Sequence, residues 1–303
     1  MMNCDNTVPI IEIERFAIHD GPGIRTVVFF QGCPLSCPWC ANPESQKIRK
    51  HIMYKKDSCV GCQTCVNICP QEVITYEDGR CVFDRDKCVG CRLCESNCLA
   101  KSINITGERK TIDEILDIVD RDKDYYEVSG GGITFSGGEP FAQTDKLIEF
   151  MKKAKCKGYH ISIETCGATD WKWIEKSIPY VDCYLFDVKH YNAEELSEIV
   201  KGNGYKMLEN FKTLSNLVPE KMIARVPVIP NYNFEVLNNI LDFIADTNVS
   251  SVHLLPYHNL GTGKYEQLDQ EYLLTDTPMM KKEELIPYKE YGISKGLQVQ
   301  IGG

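Results

Sequence analysis

Cys33, Cys37 and Cys40, set in the stretch Gly32-Cys-Pro-Leu-Ser-Cys-Pro-Trp-Cys40, make a CxxxCxxC loop. Thiolates at this spacing can hold three irons of a four-iron cluster and leave the fourth without a protein ligand. An open iron can bind a substrate directly, so such a cluster can do chemistry where a fully ligated one only passes electrons. Two longer runs follow: Cys59-x-x-Cys62-x-x-Cys65-x-x-x-Cys69-Pro70 and Cys88-x-x-Cys91-x-x-Cys94-x-x-x-Cys98.

Each longer run has the spacing by which bacterial two-cluster ferredoxins wrap [4Fe–4S] cubanes, and in such domains the fourth cysteine serves the other cluster. That pattern puts Cys59, Cys62, Cys65 and Cys98 on one cluster and Cys88, Cys91, Cys94 and Cys69 on the other. Leu99 stands where a proline often follows the fourth cysteine, a departure that removes no ligand. CxxC pairs can also clamp zinc, but the repeated four-cysteine run favours clusters.

These loops need a scaffold. The run Ile24 to Phe30, rich in β-branched and aromatic residues, reads as a buried strand after a turn at Asp20-Gly-Pro-Gly23, and the three-cysteine loop starts where it ends. Residues 47–104 are short-looped and cysteine-dense, and read as an insert; residues 1–46 and 105–303 form the main body. Thr111-Ile-Asp-Glu114 is a capping-box pattern opening a helix to about Asp122.

Strands expected at Gly132 to Ser136, His160 to Glu164, Cys183 to Val188, Met222 to Val228 and Ser251 to Leu255 alternate with helices near Asp145 to Lys155, Glu194 to Val200, Tyr205 to Ser215 and Phe234 to Ala245. Repeated βα units imply a parallel sheet. Six strands are too few to close an eight-stranded barrel, so the fold class is α/β, a partial (β/α)6 TIM-like barrel with an inserted ferredoxin-like bis-[4Fe–4S] domain. The site belongs at the C-terminal ends of the strands; a doubly wound open sheet is the alternative.

The chain has 303 residues and a formal net charge of −9, which argues against a nucleic-acid backbone as main partner. Met1 to Ile13 contains acids and no apolar stretch long enough for a secretion signal, so a cytoplasmic location is expected. No apolar run approaches the roughly 18 residues of a membrane span. Eleven of the 16 cysteines fall in the three clusters; Cys4, Cys81, Cys156, Cys166 and Cys183 are scattered and read as buried thiols.

The chain resembles the radical S-adenosylmethionine (SAM) enzymes, specifically the glycyl-radical-enzyme activating enzymes with a ferredoxin-type insert. The resemblance rests on Asp20-Gly-Pro-Gly-Ile-Arg25, Phe30-Gln-Gly-Cys33, the CxxxCxxC loop, the eight-cysteine insert, Ser136-Gly-Gly-Glu-Pro140, Asp187-Val-Lys189 and Leu255-Pro-Tyr-His258. It implies that the open iron binds the amino and carboxylate groups of SAM and that an electron from the cluster breaks a carbon–sulfur bond. The resulting 5′-deoxyadenosyl radical then takes a hydrogen from a backbone glycine of a partner glycyl radical enzyme.

By matching motif, the resemblance places Trp39, Cys40 and Ala41 on the adenine side of SAM and Gly137 and Gly138 at its methionine part. It places Asp187, Val188 and Lys189 on SAM as well, with Lys189 meeting the carboxylate and His258 on the ribose or adenine side. A buried Asp187–Lys189 ion pair beside a packed histidine is the plainer alternative. Asp20 and Arg25 match positions that face the glycine loop or support the site, and Glu164-Thr165 matches a position where some members carry aspartate beside a cation.

Three [4Fe–4S] clusters and SAM are the implied cofactors. Reduced flavodoxin or ferredoxin is the implied electron donor, with the insert clusters acting as a relay or only as a stabilising module. A monomer that docks transiently on its protein substrate is expected. A different radical SAM maturase is the alternative within catalysis; absence of cysteines from Leu255 to Gly303 favours the activating enzyme. A multi-cluster electron-transfer protein is the alternative outside it, and leaves the SAM motifs without a purpose.

Overall fold

The computed structural model describes residues 6–302; Cys4 lies outside them. Strand β1 (Thr7–Ala17) leads through the Asp20–Gly23 turn into β2 (Arg25–Phe30). Next come β3 (His51–Tyr54), α1 (Thr64–Ile68), the hairpin of β4 (Ile74–Glu77) and β5 (Arg80–Phe83), α2 (Leu93–Ser96), β6 (Ile103–Thr106) and β7 (Glu108–Thr111). Thr111 then caps α3 (Ile112–Val119). Its hydroxyl accepts from the Glu114 amide at 3.2 Å while Glu114 Oε2 accepts from the Thr111 amide at 2.7 Å, the reciprocal box that the sequence predicts.

After α4 (Lys123–Ser129) strand and helix alternate: β8 (Gly132–Gly137), α5 (Thr144–Cys156), β9 (His160–Thr165), α6 (Trp171–Ser177), β10 (Cys183–Asp187), α7 (Ala193–Val200), α8 (Gly204–Leu217) and β11 (Met222–Val228). The chain ends with α9 (Leu237–Ala245), β12 (Ser251–Pro256), α10 (Thr262–Leu268), α11 (Ile286–Ser294) and β13 (Gln298–Ile301).

Nine strands form one sheet in the order β13-β12-β11-β10-β9-β8-β2-β1-β7. Every pairing from β2 to β13 is parallel, whereas β1 runs antiparallel to both β2 and β7. Each parallel strand lies beside its successor, so all crossovers step in one direction and their helices cover one face. A doubly wound sheet reverses its strand order at a switch point; this one does not, and that alternative falls. Among the described residues β13 and β7 have no further strand beside them, so the sheet is open there.

All six expected strands are present, and β13 adds a seventh parallel one. Its four residues, Gln298-Val-Gln-Ile301, alternate between solvent and interior, too short a signal to stand out in sequence. The main core lies between sheet and helices and includes Phe30, Phe135, Phe150, Ile163 and Phe186, with the Phe135 and Phe150 rings 4.8 Å apart. Residues 51–106 have a separate apolar cluster of Ile52, Tyr54, Ile74, Phe83, Ile103 and Ile105, in which β3 pairs antiparallel with β6. Among the described residues no helix is long and apolar enough to cross a membrane.

Candidate active site

β2 ends at Phe30 and the chain turns at once into the three-cysteine loop. The turn is fixed by backbone bonds: Gly32 N donates to Ser45 O at 2.7 Å, Cys33 N to Gln46 O at 3.2 Å and Ser36 N to Val200 O at 2.8 Å. The end of β8 locks onto the same turn, with Gly138 N donating to Phe30 O at 2.9 Å and Glu139 N to Gly32 O at 2.8 Å. A Cβ on Gly137, whose φ is +110°, would meet Phe30 N at 2.3 Å, and one on Gly138 would meet Gly32 O at 2.4 Å. The glycines are therefore required by packing against the cysteine loop, a constraint independent of the SAM role that the resemblance implies for them.

A cavity of about 350 Å³ opens at the C-terminal ends of the parallel strands. It brings together Cys33, Cys37 and Cys40, Trp39 and Ala41, Gly137 and Gly138, Asp187 and Lys189, and His258. Val188 is the exception among the expected cofactor residues. Its side chain is 1% exposed and belongs to the main core, because alternation turns it away from the face shared by Asp187 and Lys189.

Lys189 Nζ donates to Asp187 Oδ2 at 2.5 Å. Burial works against the ammonium, yet Lys189 is held above its ordinary range by Asp187 and by the facing sulfurs of Cys37 and Cys166. The ion pair of the plainer reading thus exists, but its packed histidine does not: His258 is exposed at the cavity wall.

Sequence reasoning missed Arg225. It sits opposite Asp187 in the β10–β11 register, pairs with Glu164 at the end of β9, and lines the cavity. Ser136 also donates to Glu164. Burial, and then the neighbouring Glu164 carboxylate, push Asp20 up to about 6. A lone arginine within the buried strand Met222-Ile-Ala-Arg-Val-Pro-Val228 was the available signal. Arg25 is fully buried and holds the preceding turn through Pro22 O at 2.8 Å, a supporting position.

Glu139, the acid of Ser136-Gly-Gly-Glu139, does not line the cavity but bonds to Thr165 and Cys166, which do. It is buried and accepts from Thr165 Oγ1, Cys166 N and Cys166 Sγ at 2.8, 2.8 and 2.9 Å, and from Phe141 N at 3.2 Å. It thereby fastens the end of β9 to the end of β8.

Burial pushes the Cys33 and Cys37 thiols up to about 12 and raises Cys40 as well. Buried thiols ionise when a metal supplies the positive charge, so three of them beside a lysine and open backbone fit an iron–sulfur cluster with a bound amino acid. Among the described residues no three His, Cys, Asp or Glu side chains converge tightly enough for a single metal ion.

In the 51–106 segment, Cys69, Cys88, Cys91 and Cys94 line one small cavity with Ile52, Ile74 and Ile105. Elsewhere in it, Cys65 Sγ lies 3.5 Å from Cys81 Sγ and Cys98 Sγ lies 3.2 Å from Ser102 Oγ. Cys62 is exposed and Cys59 half-buried. Of the scattered thiols, Cys81, Cys166 and Cys183 are buried, but Cys156 is exposed. Helix α5 buries Leu147, Phe150, Met151 and Ala154, which leaves Cys156 off its inner face.

The model of the radical SAM superfamily matches residues 79–244, more than half of the chain, and so defines the class. A 4Fe–4S single cluster domain matches residues 19–59 and a 4Fe–4S binding domain residues 52–75. Across nearly its whole length the chain is 37% identical, over 299 residues, to the trans-4-hydroxy-L-proline dehydratase activating enzyme of Clostridioides difficile, covering 97% of this chain and 99% of that protein. It is 38% identical over 282 residues to the indoleacetate decarboxylase activating enzyme of Tractidigestivibacter scatoligenes, with 88% of each covered. To the choline trimethylamine-lyase activating enzyme of Oleidesulfovibrio alaskensis it is 35% identical over 292 residues, covering 91% of this chain and 92% of that protein.

The chain belongs to the glycyl-radical-enzyme activating enzymes of the radical SAM superfamily. Its activity is reductive cleavage of SAM at a [4Fe–4S] cluster and hydrogen abstraction from a glycine of a partner glycyl radical enzyme.

Proposed function

We propose that the cavity at the strand ends is where this reaction takes place, with Cys33, Cys37 and Cys40 holding the cluster and the remaining cavity walls holding SAM. The observation that carries this is one cavity that holds the three thiols, Gly137 and Gly138, Lys189 and His258 together. When bound, cluster and SAM supply the radical chemistry. The protein's own part is orientation. Lys189 spends one of its three donors on Asp187 and keeps the others for the methionine carboxylate. Trp39, Cys40 and Ala41 flank the adenine and His258 takes the ribose or adenine side, while the Gly137–Gly138 backbone approaches the methionine part.

Residues 47–104 hold two further [4Fe–4S] clusters, three in all, in the crossed pairing of the two runs. The grouping of Cys69 with Cys88, Cys91 and Cys94 around one cavity supports that pairing. The electron donor is a reduced flavodoxin or ferredoxin, and the protein works in the cytoplasm as a monomer. Identities of 35 to 38% to activators of three different enzymes do not single out one partner.

The deciding experiment compares 5′-deoxyadenosine formed from SAM by reduced, reconstituted protein and by a Cys33→Ala/Cys37→Ala/Cys40→Ala variant. Product from the parent alone is expected. Product from neither, despite full iron loading, would withdraw the site assignment and revive the electron-transfer reading.

A further inference from the structure

We propose that the Lys264–Glu44 ion pair sets the reduction potential of the cluster held by Cys33, Cys37 and Cys40. This rests on the reading of those cysteines given above. Glu44 lies in the short turn Pro43–Ser45, four residues after Cys40, and is only 3% exposed. One carboxylate oxygen accepts from Lys264 Nζ at 2.6 Å; the other is buried with no partner. The same ammonium donates to Asn42 Oδ1 at 2.7 Å, and Asn42 lines the catalytic cavity beside Cys40.

A half-satisfied buried carboxylate is costly, and a charge four residues from Cys40 in partly buried surroundings is screened less than in bulk water. Reduction adds one electron to the cluster, taken from the reductant, with no bond made or broken. An uncompensated negative charge nearby opposes that step. Lys264 offsets it, and since Lys264 is the cation within ion-pair distance of Glu44 among the described residues, the compensation depends on where Lys264 sits.

Helix α10 determines that position, and it touches both halves of the molecule. At its start Gly261 lies against Ala41, where a Cβ would come within 3.0 Å of Ala41 Cα. At its end Gln267 O accepts from Arg85 Nη2 at 3.1 Å, and Asp269 faces Arg85 at 3.8 Å and Lys56 at 3.7 Å. A cavity of about 300 Å³ separates the two halves here, lined by Glu44, Lys264, Lys55, Lys101 and Ser102. The pair thus lies where the cysteine-rich segment meets the cysteine loop, and α10 makes Lys264 a positioning residue for electron acceptance.

The test is an anaerobic titration with dithionite, followed by electron paramagnetic resonance, on the intact reconstituted protein. The catalytic cluster is identified by the change SAM makes in its signal. Lys264→Met is expected to lower its midpoint potential, Glu44→Gln to raise it, Lys264→Met/Glu44→Gln to return it near the parent, and Lys264→Arg to leave it near the parent. A purely structural role gives no opposed shifts and no restoration. Potentials that do not move, or that move the same way in both single variants, overturn the proposal. Glu44→Gln keeps the side-chain shape, so the sign test stands even if Lys264→Met folds poorly. A parent without a SAM-sensitive signal fails the three-cysteine reading itself; a sensitive signal that the variants leave unmoved fails only the ion pair.

Discussion

Glu139 receives both the amide and the thiol of Cys166, at 2.8 and 2.9 Å, so the acid of the Gly-Gly-Glu segment clamps the next strand end instead of reaching into the cavity. Glu139→Ala leaves those two donors and Thr165 Oγ1 unpaired in a buried site. A loss of about 2–4 kcal/mol in folding stability is expected. Glu139→Gln, which keeps the acceptor oxygen, should lose less; denaturant unfolding of both variants checks the order.

In the proposed site Lys189 is the cation for the SAM carboxylate. Lys189→Ala should weaken SAM binding by roughly 10- to 100-fold, the equivalent of one charge-assisted hydrogen bond. Iron content should match the parent, because Lys189 is not a ligand. SAM affinity measured at matched iron loading tests this, and unchanged affinity would leave the Asp187–Lys189 pair a structural one.

Asp20 carries a pH prediction. Its folded-state value is raised from 3.8 to about 6, so the folded state holds the proton more tightly than the unfolded chain does. Stability from this group is therefore fully present below about pH 4 and lost as the pH rises through 6. Asp20→Asn should be more stable than the parent at pH 8, by no more than about 2 kcal/mol after allowance for solvent screening, and close to it at pH 4. Urea unfolding at both pH values measures the difference; a gain confined to low pH would reverse the assignment.

The proposed crossed cluster pairing makes an asymmetric demand on two cysteines. Cys69→Ala should disturb the cluster of Cys88, Cys91 and Cys94, the residues with which it shares a cavity, and spare that of the first run. Cys98→Ala should do the reverse. Iron content and cluster signals of the two variants distinguish crossed from in-run ligation.

Much of this was legible because the parallel strands are continuous apolar runs and the capping box is local. β13 is half-buried at a sheet edge, and α6 has seven residues; neither gives enough periods to separate from background. β1 was obscured by Glu12, Glu14 and Arg15, which interrupt its apolar residues. Arg225 and Glu44 escaped for another reason. Arg225 left one faint signal, a charge inside a buried strand, and Glu44 left none; their tertiary neighbours, Glu164 and Lys264, reveal each charge as part of a site. The cysteine spacing needed no such context, since ligand geometry is written into adjacent residues.

The interlock of Gly138 with Gly32 ties together two seats that function treats as separate. The backbone proposed to lie against the methionine part is bonded to the turn that delivers Cys33, with no side chain between them to yield. A shift of either loop must carry the other with it. The spacing between the Cys33 turn and the Gly137–Gly138 backbone is then a property of one backbone unit, and a side chain introduced at Gly138 would alter that spacing even if every cysteine stayed in place.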